Sequence, residues 1–543
     1  MKQIAAALHP NEVATGLKLV DVDTAAALRD GYTTLYLAQP YSVWEDAERP
    51  HQAQQPWPGP AFVAHWGSSE PWRALTLPQR RRLLCLAASS GHAGSLDAAL
   101  AHCGCTLTPE VLTAAAAAGN AAGCERLLGG GVAADWRTVT AAAKAGDLPV
   151  LQLLLWSSTG GQRCRLYYDA VRGACAGGHA HVLAWLQQAH GYQPSLEGVE
   201  AAARAGQVAM LELLLPPPPP QLPRLAPAHA AAAAGDGDRF RLDHGLLWEP
   251  AAAAAAAGSA AAAAAPVQNP HAPRRRADNR LRLLLAIIHG CPVEVLQRHY
   301  EPLSQGWVPA RPPEGAAAAQ AAAWAVGGGV GAADAELLHR ILLASLLTSA
   351  LGSPTACWGA KLDFLLTSWG PPVTNELVRD VAVCDKAAQA ATIRLDCLQR
   401  LQWLRPQGFQ FGTRAAELVS AGGHAAPLAY LWDECGVPGP MGTPDPVGVF
   451  LRGCSQAVPR CYERGAGARF LRVLQLLAAR DAALSAEHAA MAADCLGPEP
   501  MLLYLAEAAE PVAERGGDAW NRAFSRARGG SRLGEGRGLA AAS

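Results

Sequence analysis

Few side chains in this chain are spaced for chemistry. No Gly-x-x-x-x-Gly-Lys-Ser/Thr loop is present to cradle phosphates, no His-Glu-x-x-His pair to hold zinc, no Gly-x-Ser-x-Gly turn to expose a nucleophile, and no Cys-x-x-Cys. The one local cluster of ligand types is His102-Cys103-Gly104-Cys105. Zinc requires convergent ligands, with a second pair from elsewhere in the chain, so Cys-x-Cys alone fits a loop better. Gly327-Gly328-Gly329-Val330-Gly331 follows no strand-like run and lacks dinucleotide-binding spacing, which suits a linker. His179, His181 and His424 lie at or near a Gly-His pair, where a ring nitrogen serves a turn and not acid–base catalysis. No catalytic residue, metal ligand or cofactor site is expected. Recognition is the remaining chemistry. Trp136-Arg137 and Tyr167-Tyr168 set large aromatic rings beside cations or each other, the composition of interface anchors, and the same rings could pack between neighbouring elements. Arg80-Arg81-Arg82 reads as the solvated face of a helix whose Leu83, Leu84 and Leu86 go inward.

The elements that position these residues recur. Around Gly91, Gly119, Gly146, Gly178 and Gly206 the same phase repeats at steps of 28, 27, 32 and 28 residues. Seven residues before each glycine stand Leu84, Leu112, Val139, Val171 and Val199; small pairs such as Ala87-Ala88, Ala142-Ala143 and Ala174-Cys175 follow. Small side chains allow close helix approach, and glycine can take the left-handed conformation that closes a helix. Asn120 and Asp147 then suit a new start. Val150-Leu151 and Leu154, Val182-Leu183 and Leu186, and Met210-Leu211 and Leu214 form an apolar stripe on a second helix. Each unit is a helical hairpin that cannot cover its own apolar side, so the units must stack.

The segment Ala174-Cys175-Ala176-Gly177-Gly178-His179-Ala180-His181-Val182-Leu183-Ala184-Trp185-Leu186 resembles an ankyrin repeat, whose core runs A-A-x-x-G-H-x-x-V-V-x-x-L-L. The T-P-L-H start survives only as its apolar slot, and most steps are shorter than the family's period of about 33 residues. The resemblance implies an all-α fold, an ankyrin-type helical-hairpin solenoid with short or absent β-hairpin fingers, interrupted by a low-complexity insert. It also implies a non-enzymatic scaffold that binds a protein on its concave face, with Trp136, Arg137, Tyr167 and Tyr168 starting the inner helices there. Residues 1–35 resemble the latter part of an F-box: Pro10-Asn11-Glu12-Val13 leads through Leu17, Leu19 and Val20 to Ala25-Ala26-Ala27-Leu28. Val20-Asp21-Val22-Asp23 departs from that motif's V-C-[KR]-x-[WF]. Those residues are either a cap on the first repeat or the adaptor-binding unit of a substrate-recruiting ubiquitin-ligase subunit.

Along the 543 residues the division runs as follows. Residues 36–74 are a Pro/Trp-rich irregular wrap, and 75–215 the clean array. Residues 216–280 are a Pro/Ala-rich linker holding Pro216 to Pro220, a partial unit at His229 to Gly235, Ala251 to Ala265 and Arg274-Arg275-Arg276. The repeat returns in decayed form over 281–510, and 511–543 is a flexible Gly/Arg-rich tail. Half the residues are hydrophobic, 17% are charged and the net charge is −1, so no global field favours nucleic acid or a membrane surface. Fourteen scattered cysteines and no Asn-x-Ser/Thr sequon fit reduced thiols in the cytosol or nucleus. No apolar run is long enough for a signal peptide or a membrane span, and a monomer is expected.

Overall fold

The computed structural model describes residues 2–29, 31–38, 50–158, 160–193, 195–217, 241–248, 272–304, 332–438, 445–456, 466–480, 482, 484–494 and 499–508. The fold is all-α: no strand occurs among the described residues, only an isolated bridge between Ala38 and Ala53. Pro218 to Pro220, His229 to Gly235, Ala251 to Ala265, Gly327 to Gly331 and the tail from residue 511 lie outside the described residues. Two compact units divide the rest, the first taking the described residues through 243 and the second those from 244.

The first unit opens on α1 (Lys2–Ala7), α2 (Pro10–Thr15) and α3 (Val22–Ala27). Their small core is Ala5, Val13 and Leu28, with Leu17 and Tyr32 against it. Buried Asn11 joins α2 to the next segment: its Nδ2 donates to the carbonyls of Tyr36 (2.8 Å) and Pro56 (3.0 Å), and its Oδ1 accepts from Tyr36 N. Where composition reads as an irregular wrap, the structure has an extended stretch followed by two short helices, α4 (Gly59–Trp66) and α5 (Ser69–Arg73). Pro60 sits in the first turn of α4, where its missing N–H costs nothing. The extended stretch is bonded to the array, Ala53 N donating to Ser89 Oγ (2.9 Å) and Trp57 Nε1 to Ser95 Oγ (3.1 Å).

Five hairpins follow: α6 (Leu77–Ser89) with α7 (Ala93–His102), α8 (Pro109–Ala117) with α9 (Ala121–Gly129), α10 (Trp136–Ala145) with α11 (Leu148–Ser157), α12 (Gly160–Gly177) with α13 (Ala180–His190), and α14 (Leu196–Arg204) with α15 (Val208–Leu214). The first helices pack in order, α6 on α8, α8 on α10, α10 on α12, α12 on α14. The small pairs from Ala87-Ala88 to Ala202-Ala203 and the Leu/Val slot before each pair are buried, so the close approach that their size allows is used at every step. All five turn glycines have positive φ, between 68° and 77°.

Residues just after the glycine serve two ends, and Asn120 serves both. Asn120 and Asp147 accept the first N–H groups of α9 and α11. Asn120 Nδ2 also donates back to the carbonyl of Ala88 at 2.9 Å, and Nε2 of His179 and of His181 bond the carbonyls of Lys144 and Gly146 at 3.0 Å. Those carbonyls end the previous unit's first helix and have no partner within it. The second and fourth hairpins thus cap their predecessors.

The second unit repeats this order: α16 (Ala272–Gly290) with α17 (Val293–Ser304), α18 (Ala332–Leu351) with α19 (Trp358–Leu377), α20 (Val381–Thr392) with α21 (Cys397–Leu404), α22 (Thr413–Ala421) with α23 (Ala425–Asp433), then α24 (Pro446–Gln456), α25 (Ala466–Ala478), α26 (Ala486–Asp494) and α27 (Glu499–Ala508). α16, α18, α20, α22, α24 and α26 pack consecutively. Arg274-Arg275-Arg276 stands on α16, which begins inside the stretch that composition reads as linker. At Gly370, φ is +79° and Pro371-Pro372 follows, which kinks α19. The capping here changes chemistry. Ser353 Oγ and Lys361 Nζ donate to the carbonyls of His289 (2.6 Å) and Ile288 (2.7 Å), Arg394 to that of Gly352, Arg400 to those of Leu351 and Ser353, and His424 Nε2 bonds that of Thr392 at 2.9 Å.

Candidate functional site

The surface that presents large anchors is made by α10 and α12. Asp135 Oδ1 accepts both Thr138 N and Thr138 Oγ1 at 2.8 Å, fixing the first turn of α10. Thr138 Oγ1 lies 2.9 Å from Thr113 Oγ1 in the buried seam with α8, which leaves Trp136 at the surface, 39% exposed. Two guanidinium groups lie over the Trp136 ring, Arg137 at 5.0 Å from its centroid and Arg172 of α12 at 5.5 Å. Both distances suit cation–π attraction. Arg172 is also 3.5 Å from Asp169, whose carboxyl burial raises in pKa while Arg172 opposes the rise. Tyr168, one turn before Arg172, is 68% exposed.

Tyr167 faces elsewhere. Its ring stacks on His190 at 4.2 Å, with Trp185 edge-on to the same imidazole, in the seam between α12 and α13. Burial pushes the Tyr167 hydroxyl up and the His190 imidazole down. The structure therefore brings Trp136 and Arg137 together with Arg172, places Tyr168 on the same helix as Arg172, and puts Tyr167 in the neighbouring seam. Arg172 escaped the sequence reading, although a signal exists. It lies six residues before Gly178, where the other units carry Cys85, Thr113, Thr140 and Glu200, and Trp136 and Tyr168 share the slot ten before their glycines.

A second cluster surrounds Lys361, which is fully buried. Its Nζ donates to the Ile288 carbonyl, Ser353 Oγ (2.9 Å) and Thr355 Oγ1 (2.8 Å), and burial lowers its pKa to about 8 against the pull of Cys357 and Cys291. Arg400 grips Asp396 through Nε (2.7 Å) and Nη2 (2.9 Å) and lies 4.6 Å over Trp358. An ammonium with all three protons engaged braces a turn; it has no lone pair to offer a substrate. The Cys103 and Cys105 pair forms a local turn, Cys105 N donating to Cys103 Sγ, with Gly104 at φ +60° between them. A cleft of about 410 Å³ over the first two turns spends its amides on backbone carbonyls, Gln52 on Ala117, Gln55 on Ser90 and Asn120 on Ala88. Among the described residues no group of His, Cys, Asp and Glu is arranged to hold a metal ion, and no helix is long and apolar enough to cross a membrane.

With this geometry in view, no protein-family model matches the chain. No curated protein matches it either.

Proposed function

We propose that this chain is a non-enzymatic interaction scaffold, an ankyrin-type solenoid with reduced fingers that binds a protein partner on the face of its first helices. Trp136, Arg137 and Tyr168 make the contact, and Tyr167 steadies α12 beneath them. The observation that carries this reading is the exposure of Trp136 and Tyr168 on consecutive first helices, with the tryptophan held under two guanidinium groups. Exposed aromatic rings with restrained neighbours bind at little entropic cost. On this reading the chain is a cytosolic or nuclear monomer that needs no cofactor and engages neither nucleic acid nor membrane. The test is affinity capture from native extract with the full chain and with the Trp136→Ala/Tyr168→Ala variant, partners being identified by mass spectrometry. A partner set held by the first and lost by the second is expected; identical sets would remove this surface from the proposal.

One observation favours a second reading. The N-terminal helices have their own core yet expose Leu19 (77%), Val20 (67%) and Val22 (84%). A cap would bury such residues, whereas an F-box-like subunit of a ubiquitin ligase would offer them to its adaptor. Leu19→Asp/Val22→Asp should then abolish co-purification of cullin-type ligase components while leaving other partners bound.

A further inference from the structure

We infer that the partner segment held at α10 and α12 is acidic, its carboxylates seated on Arg137 and Arg172; this rests on the scaffold reading and names the chemistry of its ligand. Arg137 and Arg172 both lie over the Trp136 ring, at 5.0 and 5.5 Å from its centroid. Stacking on the ring restrains each guanidinium plane while its N–H edge stays available, and that edge is the part that matches a carboxylate. Arg137 has no hydrogen-bond or ion-pair partner among the described residues. The one ion pair of Arg172 among the described residues is the loose 3.5 Å contact to Asp169, and with its side chain 44% exposed Arg172 stays open to a second, incoming carboxylate.

The exposed charges on α10 and α12 around the pair are mostly cationic. Arg165, Tyr168 and Arg172 are spaced three and four apart, so they share one face of α12, and all three are exposed. Lys144 is exposed near the end of α10. Asp135 is engaged in capping α10 and Asp169 with Arg172, and Glu200, in the same slot of α14, is buried. The result is a short basic patch with a tyrosine on it, in a chain whose net charge is −1. A nucleic acid would need a longer run of cations, and Glu110 and Glu197, exposed on α8 and α14 to either side, interrupt one. An acidic segment carrying an apolar side chain for the Trp136 and Tyr168 rings fits the length and the charge.

The test selects random displayed peptides on the full-length chain, then measures the selected peptides by fluorescence anisotropy on the wild type, Arg137→Gln, Arg172→Gln, Tyr168→Ala and, as a control on the second helix α9, Arg126→Gln. The altered side chains are exposed, so the fold should survive, and thermal unfolding checks that it does. We expect Asp/Glu-rich peptides whose affinity falls about tenfold in either arginine variant, falls further with added salt, and is unchanged in Arg126→Gln. Neutral or basic peptides lost on Tyr168→Ala would overturn the acidic assignment and leave the scaffold reading standing. Failure to select any peptide, or selection of peptides insensitive to all of these variants, would overturn both. Displacement of the peptides by a short single-stranded RNA, or much tighter binding of a phosphoserine peptide than of its glutamate counterpart, would assign the patch to phosphate and overturn the carboxylate proposal.

Discussion

Gly146 and Gly91 look alike in sequence and in backbone, with φ of +77° and +75°, yet they differ in what surrounds them. A Cβ on Gly91 would meet nothing within 4 Å, whereas on Gly146 it would lie 2.6 Å from the His179 ring. Gly91→Ala should therefore cost only the left-handed penalty, about 1–2 kcal/mol. Gly146→Ala should cost roughly 1 kcal/mol more, because moving His179 also breaks its bond to the Lys144 carbonyl. Urea unfolding of the two variants checks this; equal losses would mean that the histidine bond adds nothing. The left-handed turns were legible from the glycines and their spacing. The work of His179, His181 and His424 was legible only as a turn role, because a residue's own sequence neighbours do not reveal a carbonyl 32 or 35 residues earlier.

Between hairpins, the second unit replaces the left-handed glycine with long donors, which is why its repeats fade in the sequence. Gly423 with His424 keeps the older form, and α22 and α23 were readable for that reason. At α16 and α18 the turn after the first helix lacks a positive-φ glycine, and Lys361 reaches the carbonyl left at the end of α16 while Arg394 and Arg400 reach those at the end of α18. Lys361 makes this visible in pH dependence. Its pKa is about 8 in the fold and 10.5 in an unfolded chain, so the unfolded state binds the extra proton between those values. The penalty of burying the charge is complete below pH 8 and is relieved as pH rises toward 10.5. The stability of the wild type minus that of Lys361→Met should therefore rise between pH 7.5 and 9, by up to about 1.4 kcal/mol per pH unit. A flat difference in chemical denaturation would show that Lys361 titrates normally.

Over the whole molecule the thiols report on packing. Burial pushes Cys85, Cys124, Cys175 and Cys397 up to about 12, while Cys164 is exposed. A folded-state pKa above the unfolded value near 9 gives stability that is present below pH 9 and lost as pH rises toward 12. The chain should thus weaken in mild base as these four thiols contribute together. Timed iodoacetamide labelling at pH 8, read by mass spectrometry, should modify Cys164 well before the four buried thiols, which react only as fast as their hairpins open; comparable rates for these five would contradict the packing. Sequence alone determined that the chain is all-α and that hairpins recur, with their small-residue stripes and turn glycines, because helix periodicity and glycine's left-handed freedom are local properties of the chain. Tertiary structure alone decided that Arg172 joins Trp136, that Tyr167 turns toward His190 instead, and that lysine and arginine cap helices one unit back. Those contacts pair residues about 20 to 70 positions apart, and which donor meets which unfilled carbonyl is fixed only when the hairpins stack.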